Sequence, residues 1–147
     1  MFMIWEFLTK YLVFAFIAPW ALIFLTGNFV EVTKALISLG LTLVGVVLIK
    51  QITDWPRPYI KFGLKAKLED PPTDSSFPSG HTASSISLAT SLFYVNPVWG
   101  VIGYGLAIIL GTTRVVVKVH TLADVFVGGA WGILITIVVH SFLYQFR

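Results

Sequence analysis

The chain alternates long apolar runs with short polar breaks. Residues 5–25, 30–52, 98–117 and 121–144 are each apolar over about the 20 residues that a helix needs to cross a bilayer. Thr26-Gly27-Asn28 closes the first run with a C-terminal glycine signal, and Pro19 predicts a kink inside it. A fifth, shorter helix is predicted over 79–96. It is rich in hydroxyls (Thr82, Ser84, Ser85, Ser87, Thr90, Ser91), so it is expected to be buried among the other helices rather than to face lipid. Gly100, Gly103, Gly105 and Gly111 in the run 98–117, and Gly128 and Gly132 in the run 121–144, are expected positions of close approach.

Between the second and third helices lies the only extended polar stretch, residues 53–77. Pro56, Pro58, Pro71 and Pro72 forbid a continuous helix there, and residues 59–68 are expected to form a short amphipathic piece on the membrane surface. Trp5, Trp20, Trp55 and Trp99 fall near predicted helix ends, as an interfacial aromatic belt requires. Trp131 is assigned to the core or the lipid face.

Composition turns this pattern into a class. Of 147 residues, 56% are hydrophobic and 12% charged, and the mean hydropathy is +0.86. A water-soluble domain of this size could not hide so much apolar surface. The expectation is an all-α, polytopic transmembrane bundle of about five spans, forming a single domain over residues 1–147 in the cell membrane. The first run spans without a small-residue cleavage pattern and is kept as mature structure. The absence of cysteine excludes disulfides and thiolate metal sites, and a net charge of +3 is too small and too spread out for a nucleic-acid partner. Oligomeric state is not readable.

Alternating spans gather the ionisable groups at one mouth of the bundle. Lys50, Arg57, Ser79, Gly80, His81, Arg114, His120 and Asp124 share that side, whereas the other side carries little beyond Glu31, Lys34, Asn96 and Arg147. Ionisable groups at bilayer depth are costly and mark a site by default. Phe77-Pro78-Ser79-Gly80-His81-Thr82 is the focus. Proline suits the beginning of a helix, serine its N-cap, and glycine a close approach of backbone to ligand. The free N–H groups and positive dipole end of such a helix favour a phosphate oxyanion, with His81 one residue later. A capped helix with an interfacial histidine is the plainer alternative. His120 and Asp124 are four apart and share a helix face, where a carboxylate fixes the imidazole tautomer; a local helix-end pair would look the same. Lys50, Arg57 and Arg114, with Asp124 as the only carboxylate expected nearby, call for an anion such as phosphate. Lys61, Lys65 and Lys67 are assigned to snorkelling, Lys118 is left open, and His140 is assigned to the opposite end without acidic company.

Lys50 followed after six residues by Arg57-Pro58, then Pro78-Ser79-Gly80-His81, then Arg114 followed after five residues by His120 and after three by Asp124, resemble the three signature stretches of the type 2 phosphatidic acid phosphatase (PAP2) superfamily. They occupy positions 50–124. Thr113 stands where many members have serine, and five spans stand where six are common.

The resemblance implies a membrane lipid phosphatase that needs no metal and no cofactor. Lys50, Arg57 and Arg114, with backbone N–H groups near Ser79 and Gly80, would hold the phosphoryl oxygens. His120, oriented by Asp124, would attack phosphorus, and His81 would protonate the leaving oxygen. Polyprenyl diphosphate, phosphatidic acid and phosphatidylglycerophosphate are the candidate substrates. A non-catalytic binder of anionic head groups is the alternative, and a haloperoxidase is disfavoured because those relatives are mostly soluble. Lysines 61, 65, 67 and 118 would place the site in the cytoplasm by the positive-inside rule. Many family members act on the outer side, and lysines in a functional loop are weak topological signals, so an extracytoplasmic site is expected.

Overall fold

The computed structural model describes residues 2–144, and Arg147 lies outside them. Among the described residues there are seven α-helices: α1 (Phe2–Tyr11), α2 (Ile17–Leu25), α3 (Phe29–Thr53), α4 (Pro58–Lys61), α5 (Gly80–Val95), α6 (Pro97–Val116) and α7 (Leu122–Tyr144). Among the described residues, the helices that begin at Phe29, Pro97 and Leu122 are long and apolar enough to cross a membrane. The other two expected spans are of different kinds. The first is broken, because α1 and α2 are joined by a 3-10 segment, Leu12–Phe16. Pro19 accounts for the break. It has no N–H to offer the carbonyl four residues back, at Ala15, so the disturbance falls on the turn before the proline rather than at the proline itself.

The hydroxyl-rich α5 is the centre of the bundle, packed against α3, α6 and α7. Most of its hydroxyls are satisfied internally or across helices. Thr90 Oγ1 donates to the Ile86 carbonyl (2.7 Å) and accepts from Tyr104 Oη (2.9 Å), and Ser87 Oγ pairs with Thr136 Oγ1 (2.9 Å). A polar helix is stable there because most of its buried hydroxyls have a partner, the Ser91 hydroxyl being the exception, and its small side chains admit close neighbours. Glycines of α7 set the closest approach: a Cβ at Gly128 would sit 2.6 Å from the Ser79 carbonyl oxygen, and one at Gly132 2.4 Å from that of Ala83. In α6, Gly100, Gly103 and Gly111 also pack tightly, but Gly105 faces open space and is not a contact position. Trp131 bridges α7 to α3, lying over Gly45 and donating Nε1–H to the Thr42 carbonyl (3.2 Å).

Two expectations about polar residues are corrected. Helix α4 ends at Lys61, so no amphipathic helix runs on to residue 68. The loop is instead fastened to the α6–α7 turn, with Tyr59 N donating to the Lys118 carbonyl and Lys67 N to that of Val117, both at 3.2 Å. Those tertiary bonds satisfy backbone groups that a surface helix would have paired within itself. Lys118, left open above, occupies this turn with a left-handed φ of 65°. At the opposite end of the bundle, His140 does have acidic company. Its Nδ1 is 3.9 Å from Glu31 Oε2, Glu31 Oε1 accepts from Lys34 Nζ (2.8 Å), and the imidazole stacks on Tyr94. Glu31, Lys34 and His140 are all buried, and mutual pairing is what makes such burial tolerable.

Candidate active site

The C-terminal end of α3, the polar loop, the start of α5 and the turn between α6 and α7 meet at one end of the bundle. Lys50 comes from the last turn of α3 and Arg57 from the residue before α4. Ser79 is the N-cap of α5, with Gly80 and His81 opening the helix, so its first amide groups and positive dipole end point into this region. The Ser79 hydroxyl does not cap those amides. It pairs with Thr82 Oγ1 at 3.0 Å, while Ser79 N donates to the Asp124 carbonyl at 2.9 Å. Packing does not demand glycine at position 80, since a Cβ there would make only an ordinary contact, 3.5 Å from Val46.

Arg57 is the hub. It is 2% exposed, and its Nη1 donates to the Val119 carbonyl (3.1 Å) and lies 3.4 Å from His120 Nε2. His120 is itself buried, with its backbone N–H on the Arg114 carbonyl. On its other side Nδ1 faces Asp124 Oδ2 at 3.6 Å, a contact just beyond hydrogen-bond length. Asp124 is held by a reciprocal cap at the start of α7: its Oδ2 accepts from Thr121 N (2.7 Å), and its own N–H donates to Thr121 Oγ1 (3.1 Å). Burial, together with the positive charges of Arg57 and Arg114, pushes the His120 imidazole down to about 4 against the opposing pull of Asp124.

His81, more exposed, stands within electrostatic reach of Arg114, His120, Arg57 and Lys50. Arg114, from the last turn of α6, is buried, and its Nε has no hydrogen-bond partner. An orphaned guanidinium donor in a cationic cluster fits an oxyanion. The structure therefore brings Lys50, Arg57, Ser79, Gly80, His81, Arg114, His120 and Asp124 to one place. Among the described residues, no three His, Asp or Glu side chains form a metal-ligating group.

The residue that sequence reasoning missed is Asp74. Asp124 is not the only carboxylate near the site: Asp74 Oδ2 accepts from Lys50 Nζ (2.5 Å) and its Oδ1 from Arg57 Nη2 (2.6 Å). Burial would raise this carboxyl, but the hydrogen bonds from Lys50 and Arg57 outweigh it and hold the group below the usual carboxylate value. Only its place four residues before the Pro78-Ser79-Gly80-His81 stretch could have drawn attention to it.

The PAP2 superfamily profile matches residues 31–147. Over 66 residues the chain is 41% identical to the lipid A 1-phosphatase of Porphyromonas gingivalis, an alignment that takes in 42% of this chain and 15% of that protein. The chain thus spans a small fraction of that relative's length. The crystal structure of Aquifex aeolicus LpxE superposes with a TM-score of 0.75 at 28% identity, over 95% of this chain and 83% of that one. A PAP2-type phosphatidylglycerolphosphate phosphatase from Bacillus subtilis shares the fold, with a TM-score of 0.73 at 21% identity over 99% of this chain and 78% of that one. With the family profile covering most of the sequence and the three motifs meeting at one end of the bundle, the chain belongs to the PAP2 superfamily as an all-helical, multi-pass membrane protein.

Proposed function

We propose that this chain hydrolyses a phosphate monoester or diphosphate of a membrane lipid through a phosphohistidine on His120. The observation that carries the proposal is His120 Nε2, 3.4 Å from an Arg57 guanidinium nitrogen inside a cluster of three cations. Its depressed protonation leaves the imidazole neutral near pH 7, so a nitrogen lone pair is available for attack. A proton on Nδ1 faces Asp124 and directs the Nε2 lone pair toward the phosphoryl site.

Lys50, Arg57 and Arg114 hold the phosphoryl oxygens and offset the charge that gathers on them, a role in which fixed cations act strongly because they need no reorganisation. The first amides of α5 add donors to the same group. His120 Nε2 forms a bond to phosphorus as the bond to the leaving oxygen breaks, and His81 gives that oxygen its proton. His81 then takes a proton from water as the water oxygen attacks the phosphohistidine, releasing phosphate and restoring both imidazoles. The charge stabilisation comes from side chains, so turnover is expected to persist in chelator. The substrate panel is polyprenyl diphosphate, phosphatidic acid and phosphatidylglycerophosphate, with lipid A 1-phosphate added because the chain is similar to a lipid A 1-phosphatase. Phosphate release from that panel, with and without chelator, tests the proposal. His120→Ala abolishes release, whereas a protein that retains lipid affinity but shows no turnover in wild-type form is a head-group binder.

The site is proposed to open on the extracytoplasmic side. A Thr73→Cys variant is then labelled by an impermeant thiol reagent in intact cells, and labelling only after lysis places the site in the cytoplasm.

A further inference from the structure

Asp74 places a carboxylate where two of the cradle cations converge. It offers one oxygen to Lys50 and the other to Arg57, the arrangement a phosphoryl group would adopt on the same pair. Its charge also acts on Arg114. The side chain is nonetheless 56% exposed, on a loop without helix or strand, so it can swing away from the cluster. Arg57 does not depend on it for position. Arg57 Nε donates to the backbone carbonyl of Asp74 (2.9 Å) and Nη1 to that of Val119 (3.1 Å), and both bonds survive departure of the carboxylate.

We propose that Asp74 is an internal counter-anion of the phosphoryl cradle: the substrate displaces it, and the cost of displacement sets a threshold of affinity below which singly charged phosphodiester head groups leave the site unfilled. The inference rests on the cradle being the phosphoryl site. A membrane presents phosphodiesters at high local concentration around the mouth, and three uncompensated cations would stay occupied by them. Competition from Asp74 lowers the affinity for every anion by a common factor. A phosphodiester exchanges one negative charge for one and gains nothing in net Coulomb energy, so it falls below the level at which it fills the site. A phosphomonoester dianion brings a second charge and stays above that level.

The test is calorimetric titration of the full chain in uncharged detergent, at a pH where inorganic phosphate is a dianion. Inorganic phosphate and short-chain phosphatidylglycerol are the two probes. Asp74→Asn is expected to bind both about tenfold or more tightly, the worth of one hydrogen bond between charged groups. Phosphatidylglycerol should also inhibit phosphomonoester turnover by the variant at levels that leave the wild type unaffected. Weaker or unchanged binding of both probes overturns the inference, because Asp74 would then only position Lys50 and Arg57. If the variant does not fold, a wild-type structure with inorganic phosphate decides. Phosphate on Lys50 and Arg57 with Asp74 swung out supports the inference, and phosphate bound with both Asp74 contacts intact overturns it. The two proposals fail separately. Raised phosphate affinity in a protein that releases nothing from any lipid leaves the counter-anion standing and removes the reaction; turnover with unchanged phosphate affinity does the reverse.

Discussion

Gly128→Ala is the substitution whose effect can be worked out most fully from the structure. A Cβ there would lie 2.6 Å from the Ser79 carbonyl oxygen, which is backbone and cannot rotate away. Reaching an ordinary 3.4 Å contact requires α7 and the start of α5 to separate by about 0.8 Å. One turn earlier, Ser79 N donates to the Asp124 carbonyl at 2.9 Å, so the same movement stretches the bond that ties the two halves of the site together. Overpacking of this kind costs about 1–3 kcal/mol, and a lost hydrogen bond about 1 kcal/mol more. The larger effect is on catalysis. Ser79 leads directly into Gly80 and His81, and a displacement of about 1 Å between reacting groups can lower a rate about 100-fold. Gly129→Ala is the matched control: its Cβ would meet Ile86 Cγ1 at 3.7 Å, an ordinary contact, and alanine is favoured over glycine in a helix by up to about 1 kcal/mol. Thermal unfolding in detergent and phosphate release are measured on both variants. Gly128→Ala is expected to lose about 10- to 100-fold in kcat and to melt lower, with Gly129→Ala close to wild type. Equal behaviour of the two variants would refute the reasoning.

Two further outcomes follow from the same geometry. His120 titrates near 4, below its ordinary 6.5, because burial and the neighbouring cations disfavour the charged ring. Its neutral, nucleophilic form therefore persists as pH falls below 6.5 and is lost only near 4, and Arg57→Gln raises the midpoint by removing one opposing charge; NMR titration of the ring checks both, and a wild-type midpoint at 6.5 contradicts the site description. Thr121→Val keeps the backbone donor to Asp124 but removes the hydroxyl that accepts from Asp124 N, so it should cost about 1 kcal/mol by denaturation, and no change would mean that the reciprocal cap does not form.

The amino-acid pattern made the helices legible because each is a long apolar run with its own stop. Thr26-Gly27-Asn28 does end α2, with Gly27 at φ 80°. Asn96-Pro97 does divide α5 from α6, Asn96 Oδ1 accepting from Val98 N and Trp99 N. The spacings within the three motifs, together with alternation of sides, were enough to assemble Lys50, Arg57, His81, Arg114, His120 and Asp124. What the pattern could not supply was the partnership of residues on irregular backbone or on helices distant in sequence. Asp74 reaches the cradle because the loop is pinned by tertiary bonds, Ser76 N to the Trp55 carbonyl (2.7 Å) and Arg57 Nε to the Asp74 carbonyl (2.9 Å), and no periodicity encodes those. His140 and Glu31 lie on α7 and α3, and only the packing of the two helices brings them together. Pro19 was read as a kink inside the first run, but its consequence is a break one turn earlier, at the carbonyl it leaves without a donor.

The central claim is that His120 carries the phosphoryl group between lipid and water. Rapid acid-free quenching of the enzyme with a substrate labelled on phosphorus, followed by peptide mapping, tests it directly. An alkali-stable, acid-labile label is expected on the peptide containing His120, absent in His120→Ala. Label on His81 instead, or single-turnover release with no labelled protein at any time, would contradict it.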